Sequence, residues 1–190
     1  MKPVFSDPDI PRYTESSFPA YRFLPFQPDM PHPRNDPEGH SFGQEEDYLP
    51  EFTDQDWQTC QPYLYGIDLF NYGYWWEAHE SLEAVWLAAG QDSLTGNFVQ
   101  GLIQMAAAQL KRYIKQERGA KILTESSIAK LSLVQGTFLG VEVALLIAEA
   151  QRCLEENRGE YPQISLVFDQ KPPQKVSAIK RLYRLLLNTS

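Results

Sequence analysis

Residues 98–110 read Phe-Val-Gln-Gly-Leu-Ile-Gln-Met-Ala-Ala-Ala-Gln-Leu. At 3.6 residues per turn, their apolar side chains fall nearly all round the axis, leaving no broad polar face for water. A helix of that kind belongs at the centre of a helical protein, with neighbours on several sides. Gly101 and Ala108 have the small side chains that let a neighbour approach closely. Gln100 and Gln104, one turn apart, start a more polar stripe that continues through Ala107 and Lys111.

Working outward, helical periodicity extends this segment to 96–117. Before it, residues 74–89 form a helical pattern ending at Gly90. Before that, a helix started or kinked by Pro62 runs to Tyr72 and stops at Gly73, with Leu64, Ile67, Asp68 and Phe70 in its pattern. A further N-terminus is expected at Thr53, where a hydroxyl and the early acids Asp54 and Asp56 suit unpaired amides and the positive dipole end. After the central helix, 119–135 is amphipathic through Ile122, Leu123, Ile128 and Leu131, and 139–157 through Val141, Val143, Leu145 and Leu146. Short connections favour antiparallel packing of sequence neighbours. The expected fold is all-α, a compact multi-helical bundle of antiparallel helical hairpins. Residues 163–168 read as extended with no evident partner, and 175–187 as a last amphipathic helix.

Eleven of the 14 prolines fall within residues 1–62, which excludes long helices and central strands there. Ten aromatics between Phe5 and Trp57 are more than a disordered segment usually carries. The expectation is an extended Pro/aromatic-rich N-terminal arm whose rings lie against the body, with Gln44-Glu45-Glu46-Asp47 a solvated loop. The organisation is thus an acidic arm over 1–52, a helical domain over 53–158, and an extended segment with a basic tail over 159–190.

The net charge of −8 resides in the arm: residues 1–62 hold 4 Lys/Arg against 12 Asp/Glu, whereas 63–190 hold 13 of each. The five cations of 171–190 face no acid in that tail. An acidic chain with one short basic segment argues against nucleic-acid binding, which needs a basic face. The same tail could touch anionic lipid, but the acidic arm would be repelled, so peripheral membrane contact by 175–187 is not expected. No apolar run approaches the length of about 18 residues that reads as a transmembrane helix. The N-terminus lacks a secretory pattern, and Cys60 and Cys153 lie far apart without a Cys-x-x-Cys pairing. A cytoplasmic protein with reduced thiols is expected.

Candidate chemistry lies in Glu77-Ala78-His79-Glu80-Ser81-Leu82-Glu83-Ala84-Val85-Trp86. With His79 at zero on a helical projection, Glu83 lies at about 40°, Glu80 at about 100°, Trp86 at about −20° and Trp75 at about −40°. The histidine and two carboxylates share a face with large rings at its edge. If the second and third helices form a hairpin, Gln100 and Gln104 can face His79 and Glu83. Three readings compete. The first is a buried polar network that fixes helix register. The second is a divalent-metal site on His79 and Glu83, whose i, i+4 spacing suits one ion; His32 and His40 lie in the arm, so a third ligand would be a carboxylate or come from there. The third is acid–base chemistry by His79, Glu80 and Glu83, or binding of a small polar ligand or protein partner, in a pocket walled by Trp75, Trp76 and Trp86. No phosphate-binding glycine loop, dinucleotide fingerprint or Ser/His/Asp set in recognisable context is present.

Leu69-Phe70-Asn71-x-Gly73-x-Trp75-x-Glu77-Ala78-His79-Glu80-x-Leu82-Glu83-x-x-Trp86, followed by Phe98-x-Gln100-Gly101-Leu102-Ile103-Gln104-x-Ala106-Ala107, resembles the bacterial and archaeal domain-of-unknown-function family numbered 309. Gly119-Ala120 and Leu139-Gly140-Val141-Glu142 are similar to that family's later landmarks. The resemblance spans about residues 60–150. It implies a compact all-α fold, makes His79, Glu80, Glu83, Trp86, Gln100 and Gln104 the family-matching set, and implies no substrate, cofactor or reaction.

Overall fold

The apolar run at 98–110 lies inside helix α3 (Leu94–Tyr113), where Phe98, Val99, Leu102, Met105 and Ala106 are fully enclosed. Helix α2 (Trp75–Ala89) packs along one side of it and α4 (Glu117–Leu131) along another; α1 (Gln61–Asn71) packs on α2, and α5 (Val143–Glu156) meets α4 more lightly. The structure is a computed structural model and describes residues 10–44, 49–156 and 159–168. A two-residue hairpin, β1 (Thr137–Phe138) with β2 (Val141–Glu142), sets Thr137 opposite Glu142 and Phe138 opposite Val141. The fold is therefore a mostly α-helical bundle. Among the described residues, no helix is long and apolar enough to cross a membrane.

Gly101 serves the close approach its size suggests. A Cβ there would stand 3.0 Å from Leu131, and its carbonyl accepts the Ser127 hydroxyl at 2.7 Å, so α4 is the neighbour that exploits it. The α2–α3 turn passes through Gly90, with φ of 80°, and Ser93 caps α3 by accepting the Gly96 amide at 2.8 Å.

Several expected boundaries move. Thr53 does not start a helix: the Asp56 carboxylate accepts its amide and hydroxyl at 2.9 and 2.7 Å, turns follow, and α1 begins at Gln61. Pro62 sits in the first turn of α1, where its missing N–H costs nothing, but it could not have continued a helix from 53. Helix α3 ends at Tyr113 rather than 117 because Lys115 turns to a φ of 64°. Helix α4 stops at Leu131, short of 135. Helix α5 begins at Val143 rather than 139, because Leu139 and Gly140 hold φ of 48° and 78° to turn the hairpin. The extended segment 163–168 does have a partner. Leu166 bridges Val141 in antiparallel sense, and the Val167 amide donates to the Gly140 carbonyl at 2.7 Å. The expected helix at 175–187, the basic tail and residues 45–47 lie outside the described residues.

The described part of the arm, 10–44, contains turns but neither helix nor strand, and its side chains enter the body. Ile10, Phe23 and Leu24 are buried, and the Phe18 ring stacks on Tyr74 at 4.9 Å. Helix α1 holds both flanking segments with polar groups on its buried face. Asp68, fully enclosed, accepts the amides of Tyr13 and Thr14 at 2.8 and 2.9 Å and the Thr14 hydroxyl at 2.7 Å, with Arg12 Nε 3.2 Å away. Asn71 donates to the Ile164 carbonyl and accepts its amide, each at 2.8 Å. Buried backbone groups of strandless segments need such partners, and these two side chains supply them.

Candidate functional site

Glu77, in the first turn of α2, fastens the arm over this helix. Its buried carboxylate accepts the Phe23 amide at 2.7 Å through Oε1, and His40 Nε2 approaches the same oxygen at 3.1 Å. The His40 ring packs on Tyr21 with centroids 4.6 Å apart, and its Nδ1 lies 2.8 Å from the Ser41 hydroxyl. An acid at this position also suits the positive end of the helix dipole.

One turn further along α2, the arm contributes Arg34. Its Nε lies 2.8 Å from Glu80 Oε2, and His79 Nδ1 lies 3.4 Å from the other Glu80 oxygen. The pKa of Glu80 is lowered, first by the adjacent His79, against burial that works to raise it, and then by Arg34. Glu80 is therefore ionised at neutral pH. One donor atom from each of His79, Glu80 and Glu83 can be chosen so that all three lie within 4.8 Å of one another. Two ligands bonded to one divalent ion at about 2.0–2.2 Å stand at most about 4.4 Å apart, so these side chains would draw closer together in binding one.

Glu80 and Glu83 also line a cleft of about 480 Å³ between α2, the start of α1 and the arm. Arg34, Ser41, Gln44, Tyr65 and Ser81 are among its other polar lining residues. Glu83 opens into this cleft, and among the described residues no cation forms an ion pair with it.

The other expected members are placed differently. Trp76 stays beside the histidine, with rings 6.0 Å apart, and on its other side meets Phe23 and His32 of the arm at 4.9 and 5.7 Å. Trp75 does not wall the cleft; it is 1% exposed and packs between Tyr113 and Tyr161. Trp86 is half-buried, with its indole N–H enclosed and unpartnered. Gln100 and Gln104 are half-buried on α3; neither amide hydrogen-bonds His79, Glu80 or Glu83, and Gln104 Oε1 is enclosed without a partner. Arg34 has no place in the sequence-based candidate set, where Glu77 stands in the motif without a role and His40 enters only as an arm residue able to supply a third metal ligand. Arg34 had a signal, being the one Lys or Arg between residues 23 and 110.

A family model described as a domain of unknown function (DUF309) matches residues 63–123, the stretch from α1 into α4 that contains His79, Glu80 and Glu83. No curated protein matches the chain.

Proposed function

We propose that this DUF309-like chain is a binding protein for a small polar ligand carrying a protonated amine, held in the cleft between α2 and the arm. The observation that carries this reading is Glu83, an acidic side chain facing a cleft of about 480 Å³ with no cation of its own among the described residues. Glu80 already has Arg34 as its partner, so among the described residues the lining's two carboxylates and one guanidinium leave a net negative charge. A cationic group at Glu83 would neutralise that charge, while hydroxyls or amides of the same molecule meet Ser41, Gln44, Tyr65 and Ser81.

A divalent ion on His79, Glu80 and Glu83 is the second reading, favoured by the 4.8 Å grouping of their donor atoms. Three protein ligands would leave coordination positions open, as metal-dependent hydrolysis requires, so a hydrolase-like role for these residues depends on the same ion. A purely architectural network is the third, with Arg34, His79 and Glu80 tying arm to helix.

Glu83→Gln separates them, because it keeps the shape and removes the charge. Melting temperatures of parent and variant are measured against a panel of primary amines and polyamines, and separately against Zn²⁺, Mn²⁺ and Mg²⁺. An amine that stabilises only the parent supports the proposal, and stabilisation only by a metal replaces it with the second reading. If nothing shifts the parent and the variant melts as the parent does, ligand binding at Glu83 is refuted.

A further inference from the structure

Away from the α2 cleft, three side chains hold hydrogen-bond donors that are sealed from solvent without acceptors among the described residues. They carry four such nitrogens, Arg22 Nε and Nη1, Arg112 Nη2 and Trp75 Nε1, in residues only 3%, 8% and 1% exposed. A shared aromatic cluster gathers them. Trp75 packs on Tyr113 and Tyr161 with centroids 5.7 and 4.7 Å away, and the two tyrosine rings are 6.5 Å apart. The Arg22 guanidinium lies 5.6 Å from the Tyr113 centroid and that of Arg112 4.9 Å from Tyr161. Burial raises the pKa of the Tyr161 hydroxyl while the Arg112 and Arg22 charges lower it, so both cations act on one point.

Stacking on a ring satisfies the face of a guanidinium and leaves its in-plane N–H groups unmet. Arg112 places one such group on the Glu160 carbonyl; among the described residues, neither arginine forms a salt bridge. The acid nearest in sequence to this cluster on α2, Glu77, directs one oxygen to Phe23 and His40, and its other oxygen is itself enclosed and unpartnered. Buried charged donors left without acceptors are strongly destabilising, so an acceptor is required. The three elements that bring these donors together are the arm, α2 and the end of α3.

We propose that Arg22, Arg112 and Trp75 form a binding site for one small oxyanion, the carboxylate or phosphate group of a small molecule. The planar Nε/Nη1 fork of Arg22 matches the paired oxygens of such a group, Arg112 Nη2 adds a second charged donor, and the indole N–H adds a neutral one. The site lies at the junction of arm and bundle, so an anion bound there joins the two.

The test is calorimetric titration of the full chain with sodium phosphate and, separately, sodium acetate, against sodium chloride at matched ionic strength. Saturable binding of either anion with one site per chain is expected, and the tighter of the two identifies the group preferred. Arg22→Gln weakens it about tenfold, the effect of losing one charge-assisted hydrogen bond. Trp75→Phe, which keeps a ring and removes the N–H, weakens it less. Should Arg22→Gln fail to fold, a crystal of the unaltered protein grown with selenate decides by anomalous scattering. A selenium peak between Arg22 and Arg112 supports the site. Buried water alone at these donors, or heat that merely tracks ionic strength, overturns it.

Discussion

The Asp68 carboxylate receives the Tyr13 amide at 2.8 Å across 55 positions of sequence, from a side chain with no solvent exposure. A helix interior and an arm without secondary structure are thereby joined by one acid, which also takes the Thr14 amide and hydroxyl. Asp68→Ala leaves these donors and Arg12 without their acceptor. The expected loss is about 3 kcal/mol or more in urea unfolding. Limited proteolysis should then cut the arm faster than in the parent, and an unchanged cleavage rate would mean that Asp68 does not hold the arm.

Trp75→Ala removes a fully enclosed ring from the core and should cost about 3–5 kcal/mol. Trp86→Ala, at a half-buried position of the same helix, should cost clearly less. Chemical denaturation of both variants under one set of conditions checks the order.

Glu80 sets a pH dependence of defined sign. Its folded pKa lies below the ordinary glutamate value, held down first by the adjacent His79. Folding thus favours the ionised carboxylate, and its stabilising contribution is complete above the unfolded value. That contribution is lost as pH falls through the lowered folded value. Glu80→Gln should therefore flatten part of the stability loss of the parent on acidification below about pH 4.5. Parallel slopes for parent and variant across that window would refute the assignment.

Burial raises the thiol pKa of both Cys60 and Cys153, neither of which is in a disulfide. Thiolate is the reacting form, so in the native protein at pH about 8 both should react with a disulfide reagent roughly tenfold or more slowly than in denaturant. Native reactivity equal to that of the unfolded chain would show that at least one of these thiols is open.

The helices were legible because their apolar positions recur at the helical period over ten or more residues, as in α3. The hairpin at Thr137–Glu142 was not, since two-residue strands are too short to carry an alternating pattern, and Val141 and Val143 also fit a helix. The docked arm was foreshadowed by its rings, but its fastenings, Asp68 and Glu77, became meaningful only once burial was known. Within the site, His79, Glu80 and Glu83 come together because i, i+1 and i+4 positions of one helix are fixed by geometry. Trp75 shows where projection fails. It lies at about −40° from His79 but a full turn, about 6 Å, along the axis, far enough to enter another cluster. Gln100 and Gln104 depended on the azimuth of α3 against α2, which no single-helix pattern determines.

The two segments held by α1 also touch each other, since the Leu166 amide donates to the Tyr13 hydroxyl at 2.7 Å across 153 positions. During synthesis at about 5–20 residues per second, Tyr13 is made roughly eight to thirty seconds before Leu166. Once α1 has been made, the arm can bind Asp68 but lacks its last partner until Leu166 follows, and its aromatic side chains are only partly covered. A nascent chain stalled before residue 160 should accordingly bind hydrophobic-surface chaperones more strongly than one stalled well beyond 168, which makes the meeting of these two segments the point at which the chain ceases to be a chaperone client.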